Sequence, residues 1–104
     1  MPGERIEVEG ITIDTERHEV KVRDKVVALS PKEFELLRFL AGHPGQVFTR
    51  QTLLDHVWGA DAYVEDRTVD VHIRWLREKI ETIPSRPERL LTVRGIGYKF
   101  RDSS

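Results

Sequence analysis

Asp66-Arg-Thr-Val-Asp-Val-His-Ile-Arg-Trp-Leu-Arg-Glu-Lys-Ile-Glu-Thr82 reads as a helix with two different sides. At about 100° per residue, Val69, Ile73, Leu76 and Ile80 fall within about 60° of one another, the spacing of a buried stripe. The stretch therefore predicts a helix from about residue 66 to 82. The opposite side carries Arg67, Val71, Arg74, Trp75 and Glu78, with Thr68 and His72 on one flank and Arg77 on the other. Glu65 and Asp66 sit where the helix dipole favours carboxylates, and Pro84 lies beyond the end. A helix that only supports a core rarely exposes a tryptophan. Arginine and threonine suit phosphates and base edges, and Val71 can meet a thymine methyl. An ordinary amphipathic helix with a solvated charged face fits the same wheel, so this helix alone does not fix the function.

Working toward the C-terminus, Leu91-Thr-Val-Arg-Gly-Ile-Gly-Tyr-Lys-Phe100 alternates around glycines 95 and 97 and predicts a hairpin. Leu91 and Val93 face one way, Thr92 and Arg94 the other. An arginine beside a glycine turn can enter a minor groove. The Gly-x-Gly is a tight turn and not a nucleotide loop, because no helix follows it.

Working toward the N-terminus, Thr49 is an N-cap for a short helix with Leu53, Leu54, Val57 and Trp58 on its apolar side and Gly59 as its stop. Residues 59–64 form a loop. Val47-Phe48 is long enough only for a strand fragment. Ser30-Pro31-Lys32-Glu33 opens a further helix with an N-cap, a first-turn proline and a capping box. Phe34, Leu36, Leu37, Phe39 and Leu40 make that helix apolar around much of its circumference, so it belongs in the centre. Gly42 and Pro44-Gly45 end it. Residues 6–29 alternate apolar and polar across turn-prone Glu9-Gly10, Asp14-Thr15 and Asp24-Lys25, giving short antiparallel strands with one buried face. Strands, three helices and a hairpin, in that order, predict an α+β winged helix-turn-helix in a single domain, residues 1–104.

The net charge of −1 conceals an asymmetry. Residues 67–101 hold nine Lys/Arg and four Asp/Glu, while the segments before them are net acidic. Positive charge gathered at one end suits a phosphate surface. The chain has no cysteine, hence neither a disulfide framework nor a thiolate metal site. His72 lacks a ligand partner one turn away, because position 76 is Leu and position 68 is Thr. His18, His43, His56 and His72 are scattered, and no nucleophile–base set or carboxylate pair stands out, so neither an enzyme nor a cofactor is expected. No apolar run reaches membrane-spanning length and Met1-Pro2-Gly3-Glu4 is not a signal peptide, so the cytoplasm is the expected location.

Val57–Lys79 and Leu91–Phe100, together with Leu29-Ser-Pro-Lys-Glu-Phe34, closely resemble the effector domains of the OmpR/PhoB family of two-component response regulators. The resemblance covers about residues 6–101. It implies an N-terminal four-stranded antiparallel sheet, three helices and a C-terminal wing, with the third helix in the major groove of DNA and the wing at the minor groove. It places Arg67, Thr68, His72, Arg74, Arg77 and Tyr98 at phosphates, Trp58 near the backbone, Val71 at an apolar major-groove contact, and Thr92 and Arg94 on the wing. It makes residues 58–66 a transactivation loop, with Trp58, Gly59, Val64 and Asp66 facing the sigma subunit of RNA polymerase. It further implies direct-repeat DNA bound by two protomers head to tail, and an N-terminal receiver domain in the full-length protein. No receiver pocket is found here, so the chain is expected to be an excised effector domain, with residues 1–5 a linker end or an artificial start.

Two positions depart from the family pattern. A phosphate-regulon member carries a base-reading arginine where this chain has Trp75, and tryptophan cannot make the bidentate guanine contact. Ile96 replaces a small polar residue at the wing tip. The competing reading is a protein-interaction module that kept the fold and lost DNA. Arg67, Arg74, Arg77 and Arg94 argue against it, and salt separates the two, since phosphate binding weakens steeply with salt.

Overall fold

The alternating N-terminal segment folds as four short strands, β1 (Arg5–Val8), β2 (Ile11–Asp14), β3 (Glu19–Val22) and β4 (Lys25–Val27), in an antiparallel sheet ordered β1-β2-β3-β4. The computed structural model describes residues 5–102. Period-two alternation puts Ile11, Ile13 and Val20 on the core face, each at most 1% exposed. Arg5, expected to be linker, already pairs with Asp14 across β1 and β2; the remainder of that expected linker lies outside the described residues.

Helix α1 (Pro31–Ala41) begins as its sequence requires. The Glu33 amide donates to Ser30 Oγ at 3.2 Å and the Ser30 amide to Glu33 Oε1 at 2.8 Å. Such a cap contributes about 1 kcal/mol. Leu36, Leu37 and Leu40 are wholly buried, so α1 is the central helix. Helix α2 (Arg50–Val57) follows strand β5 (Phe48–Thr49) with Thr49 as its N-cap, and ends at Trp58 and Gly59. Helix α3 (Arg67–Ile80) buries Val69, Ile73, Leu76 and Ile80, the stripe expected from the wheel.

Helix α3 stops two residues short of the expected end. Glu81 leaves the helix with extended backbone, and its carboxylate accepts from the amides of Glu88, Arg89 and Leu90 at 2.8–3.2 Å. Buried Arg89 reaches the Ile80 carbonyl at 2.6 Å and the Glu9 carbonyl at 2.7 Å. The pair thus joins the end of α3 to the β1–β2 turn and the root of the wing.

The wing is strands β6 (Leu90–Val93) and β7 (Gly97–Phe100), with β5 completing a sheet ordered β5-β7-β6. Its tip is Arg94-Gly95-Ile96, where Gly95 takes a left-handed φ of 79°. Gly97 is glycine for another reason: a Cβ there would lie 2.0 Å from the Phe48 carbonyl oxygen. The winged helix-turn-helix expected from element order is thus the observed fold. Among the described residues, no helix is long and apolar enough to cross a membrane.

Candidate nucleic-acid interface

Rigid packing of one side of α3 determines what the other presents. Arg67, Arg74 and Glu78 are exposed, Val71 is 37% exposed and Trp75 44%. Thr68 and His72 are half-buried on the flank, as the wheel places them. Arg74 lies 4.0 Å from Glu78, an exposed pair of small energetic value that leaves the guanidinium accessible.

A row of three rings runs from the end of α2 to the middle of α3. Trp58, at the end of α2, meets His72 edge-on at 4.9 Å between centroids, and His72 meets Trp75 at 5.0 Å. His72 Nδ1 lies 2.8 Å from the Thr68 carbonyl oxygen, which fixes the imidazole between the two indoles. The Trp75 indole is therefore braced from behind although it is exposed.

A second group ties three elements together. Asp70 Oδ1 accepts from Arg50 Nε at 2.7 Å and from the Tyr98 hydroxyl. Arg50 and Arg77 lie over the Tyr98 ring, 5.5 and 5.7 Å from its centroid. Arg77 donates to the Leu90 carbonyl through Nε and Nη2, and to Thr92 Oγ1 at 2.8 Å. Burial raises the Tyr98 hydroxyl above its ordinary pKa, and the Asp70 hydrogen bond and charge raise it further. Burial also lowers the Arg77 guanidinium, partly offset by Tyr98 and Glu81. The hydrogen bond and charge of Asp70 raise Arg50. Tyr98 has thus committed its one proton to Asp70, and much of Arg77 to the wing root.

Arg50 escaped the sequence reading, because it belongs to α2 and meets α3 only in three dimensions. The wing residues Thr92 and Arg94 are both exposed, Arg94 in the turn at the tip. In the loop from α2 to α3, Trp58 and Val64 are half-buried and pack on the core, while Gly59 and Asp66 are exposed. Asp66 precedes α3 without making a side-chain cap. Tyr63, in the same loop, stands fully in solvent. Among the described residues, no three His, Asp or Glu side chains gather as a metal site.

Residues 24–100 match the family described as "Transcriptional regulatory protein, C terminal". The phosphate regulon transcriptional regulatory protein PhoB of Escherichia coli is 48% identical over 98 residues, covering 93% of this chain and 42% of PhoB. The chain belongs to the OmpR/PhoB family of response regulators, as an effector domain. This is a family of transcriptional regulators, not of enzymes. Thermotoga maritima DrrB, an OmpR/PhoB homologue, superposes with a TM-score of 0.87 at 37% identity, covering 94% of this chain and 44% of DrrB. The Klebsiella pneumoniae RstA DNA-binding domain, solved in complex with the RstA box, superposes at 0.85 with 38% identity, covering 94% of this chain and 97% of that one. The chain spans about two fifths of the length of PhoB.

Proposed function

We propose that this chain binds double-stranded DNA sequence-specifically as the effector domain of a two-component transcriptional regulator. Helix α3 enters the major groove and the wing reaches the adjacent minor groove. The observation that carries this reading is the outward side of α3, where Arg67, Val71, Arg74 and Trp75 stand exposed on a helix whose other side is fully packed. The RstA domain solved on its DNA box supports it.

In this reading Arg67, Thr68, His72 and Arg74 meet phosphates, with Arg50 joining them and Trp58 packing near the backbone. Val71 and Trp75 face base edges. Thr92 and Arg94 serve the wing contact, Arg94 entering the minor groove. Arg77 and Tyr98 belong to the same interface at the wing root, where fixing the wing to α3 comes before phosphate contact. The loop bearing Trp58, Gly59, Val64 and Asp66 meets the sigma subunit of RNA polymerase. Two protomers occupy direct repeats head to tail, about one helical turn or roughly 10–10.5 bp apart. A receiver domain precedes this one in the full-length protein, which works in the cytoplasm.

The test is binding selection from a random-sequence duplex pool at two salt concentrations. Enriched direct repeats, bound far more weakly at the higher salt, are expected. Absence of both enrichment and salt dependence would overturn the DNA reading in favour of a protein-interaction module. Replacing Trp58 or Asp66 is expected to spare DNA binding and reduce transcription; unchanged transcription would remove the polymerase assignment.

A further inference from the structure

We infer that Trp75, with Val71 one turn before it, makes this domain read thymine methyl groups at the centre of its recognition helix. The inference rests on the DNA reading above and adds the base it selects. Val71 and Trp75 are the large apolar side chains that α3 leaves exposed, at 37% and 44%. Their i, i+4 spacing places them side by side on one face.

Major-groove chemistry then narrows the choice. Valine offers no hydrogen bond, and the indole offers a single N–H donor. That donor is met equally by O4 of thymine, by O6 or N7 of guanine, and by N7 of adenine, so it cannot select among them. Recognition of guanine draws on a bidentate guanidinium, and neither position supplies one. The thymine 5-methyl is the apolar group on the major-groove edges, and it is what two adjacent apolar side chains can distinguish.

The indole is also positioned for discrimination. His72 lies 5.0 Å from it at an interplanar angle of 58°. His72 is itself held at the Thr68 carbonyl, 2.8 Å away, and by the edge contact with Trp58 at 4.9 Å. A ring braced in this way reaches a methyl without first surrendering much rotamer freedom. His72 acts here as a positioning residue for Trp75.

The test uses the 104-residue chain and the duplex it selects from a random pool. Each thymine is replaced in turn by deoxyuridine, which removes only the methyl. The expected result is a loss of about threefold to fivefold in affinity at one or two adjacent thymines, the value of one buried methyl. In Trp75→Ala the loss should shrink to what Val71 alone supplies, and in the Val71→Ala/Trp75→Ala double variant thymine and deoxyuridine should bind alike. His72→Ala should shrink the discrimination while Trp75 remains present. Guanine selected opposite α3, or tight and salt-dependent binding indifferent to every deoxyuridine, would overturn the methyl inference and leave the DNA reading standing. Failure to select any duplex would overturn both.

Discussion

Asp70 accepts from Arg50 and Tyr98 at one oxygen, and its removal should be felt far beyond a surface carboxylate. In Asp70→Ala the Tyr98 hydroxyl, on a residue only 5% exposed, loses its acceptor. An unsatisfied buried hydroxyl costs about 1–3 kcal/mol. The lost Arg50 contact adds at most about 1 kcal/mol, because both side chains remain more than a third exposed, at 37% and 41%. Asp70→Ala should therefore cost about 2–3 kcal/mol, roughly 8–24 °C in Tm for a domain of this size. Tyr98→Phe removes donor and demand together and should cost about 0.5–1.5 kcal/mol. With the hydroxyl gone, deleting Asp70 costs only the Arg50 contact. The double mutant should then be more stable than the sum of the single losses implies, by about 1–3 kcal/mol. Urea denaturation of the four proteins measures that coupling. Single effects that add to within about 0.5 kcal/mol would refute the claim that Asp70 joins α3 to the wing through Tyr98.

Three further outcomes are expected. Gly97→Ala forces a Cβ to within 2.0 Å of the Phe48 carbonyl and must part β5 from β7, costing about 3 kcal/mol or more; an unchanged Tm would refute the close approach. Arg74→Ala should weaken all duplexes about equally and reduce the slope of log K against log salt by about 1, so equal slopes for mutant and wild type would remove its phosphate role. Glu33 is nearly fully buried and its Oε1 lies 2.6 Å from Lys79 Nζ; burial alone would raise its pKa, but the Lys79 and Ser30 hydrogen bonds and the Lys79 charge together hold it below the ordinary carboxylate value. A depressed carboxyl contributes stability that is present above its unfolded pKa and lost as pH falls through the folded value. Lys79→Met should therefore destabilise at neutral pH and move acid unfolding to higher pH, as thermal melts from about pH 7 to about pH 3 would record.

What could be read from the sequence was whatever repeats at short range. The α3 stripe follows from a period of 3.6, and the capping box at Ser30 from three consecutive positions. The element order followed from such local signals. The site was legible on α3, whose outward residues are fixed by the same wheel that buries the others. The Asp70 cluster was not, since its members lie on α2, α3 and β7, separated by 20 and 28 residues in the chain. The end of α3 was misplaced for a related reason. Glu81 continues the helical pattern in sequence, but its carboxylate caps three amides of the following turn and wing, a demand visible only once the wing is docked. Gly97 resembled half of a turn, whereas the turn is residues 94–96 and Gly97 is set by the strand beside it.

The cationic and aromatic side chains of the interface fall into two groups with different physical roles. Arg50, His72, Arg77 and Trp75 are already held, by Asp70, by the Thr68 carbonyl, by Leu90 and Thr92, and by His72 respectively. Arg67, Arg74 and Arg94 extend into solvent, with only the weak Glu78 pair at Arg74. A held side chain loses little freedom on binding and punishes a misfit, because it cannot move to accommodate one. Arg67 and Arg74 can follow whatever phosphate is nearest and give affinity through counterion release, without regard to sequence, while Arg94 at the wing tip is free to enter the minor groove. Arg67 and Arg74 should therefore set how steeply binding falls with salt, and Trp75, braced by His72, the ratio of specific to non-specific affinity. This division also explains how a chain of net charge −1 can act on a polyanion: Arg67, Arg74 and Arg94 lie after residue 66, on α3 and the wing tip, while most of the acidic residues lie elsewhere in the chain.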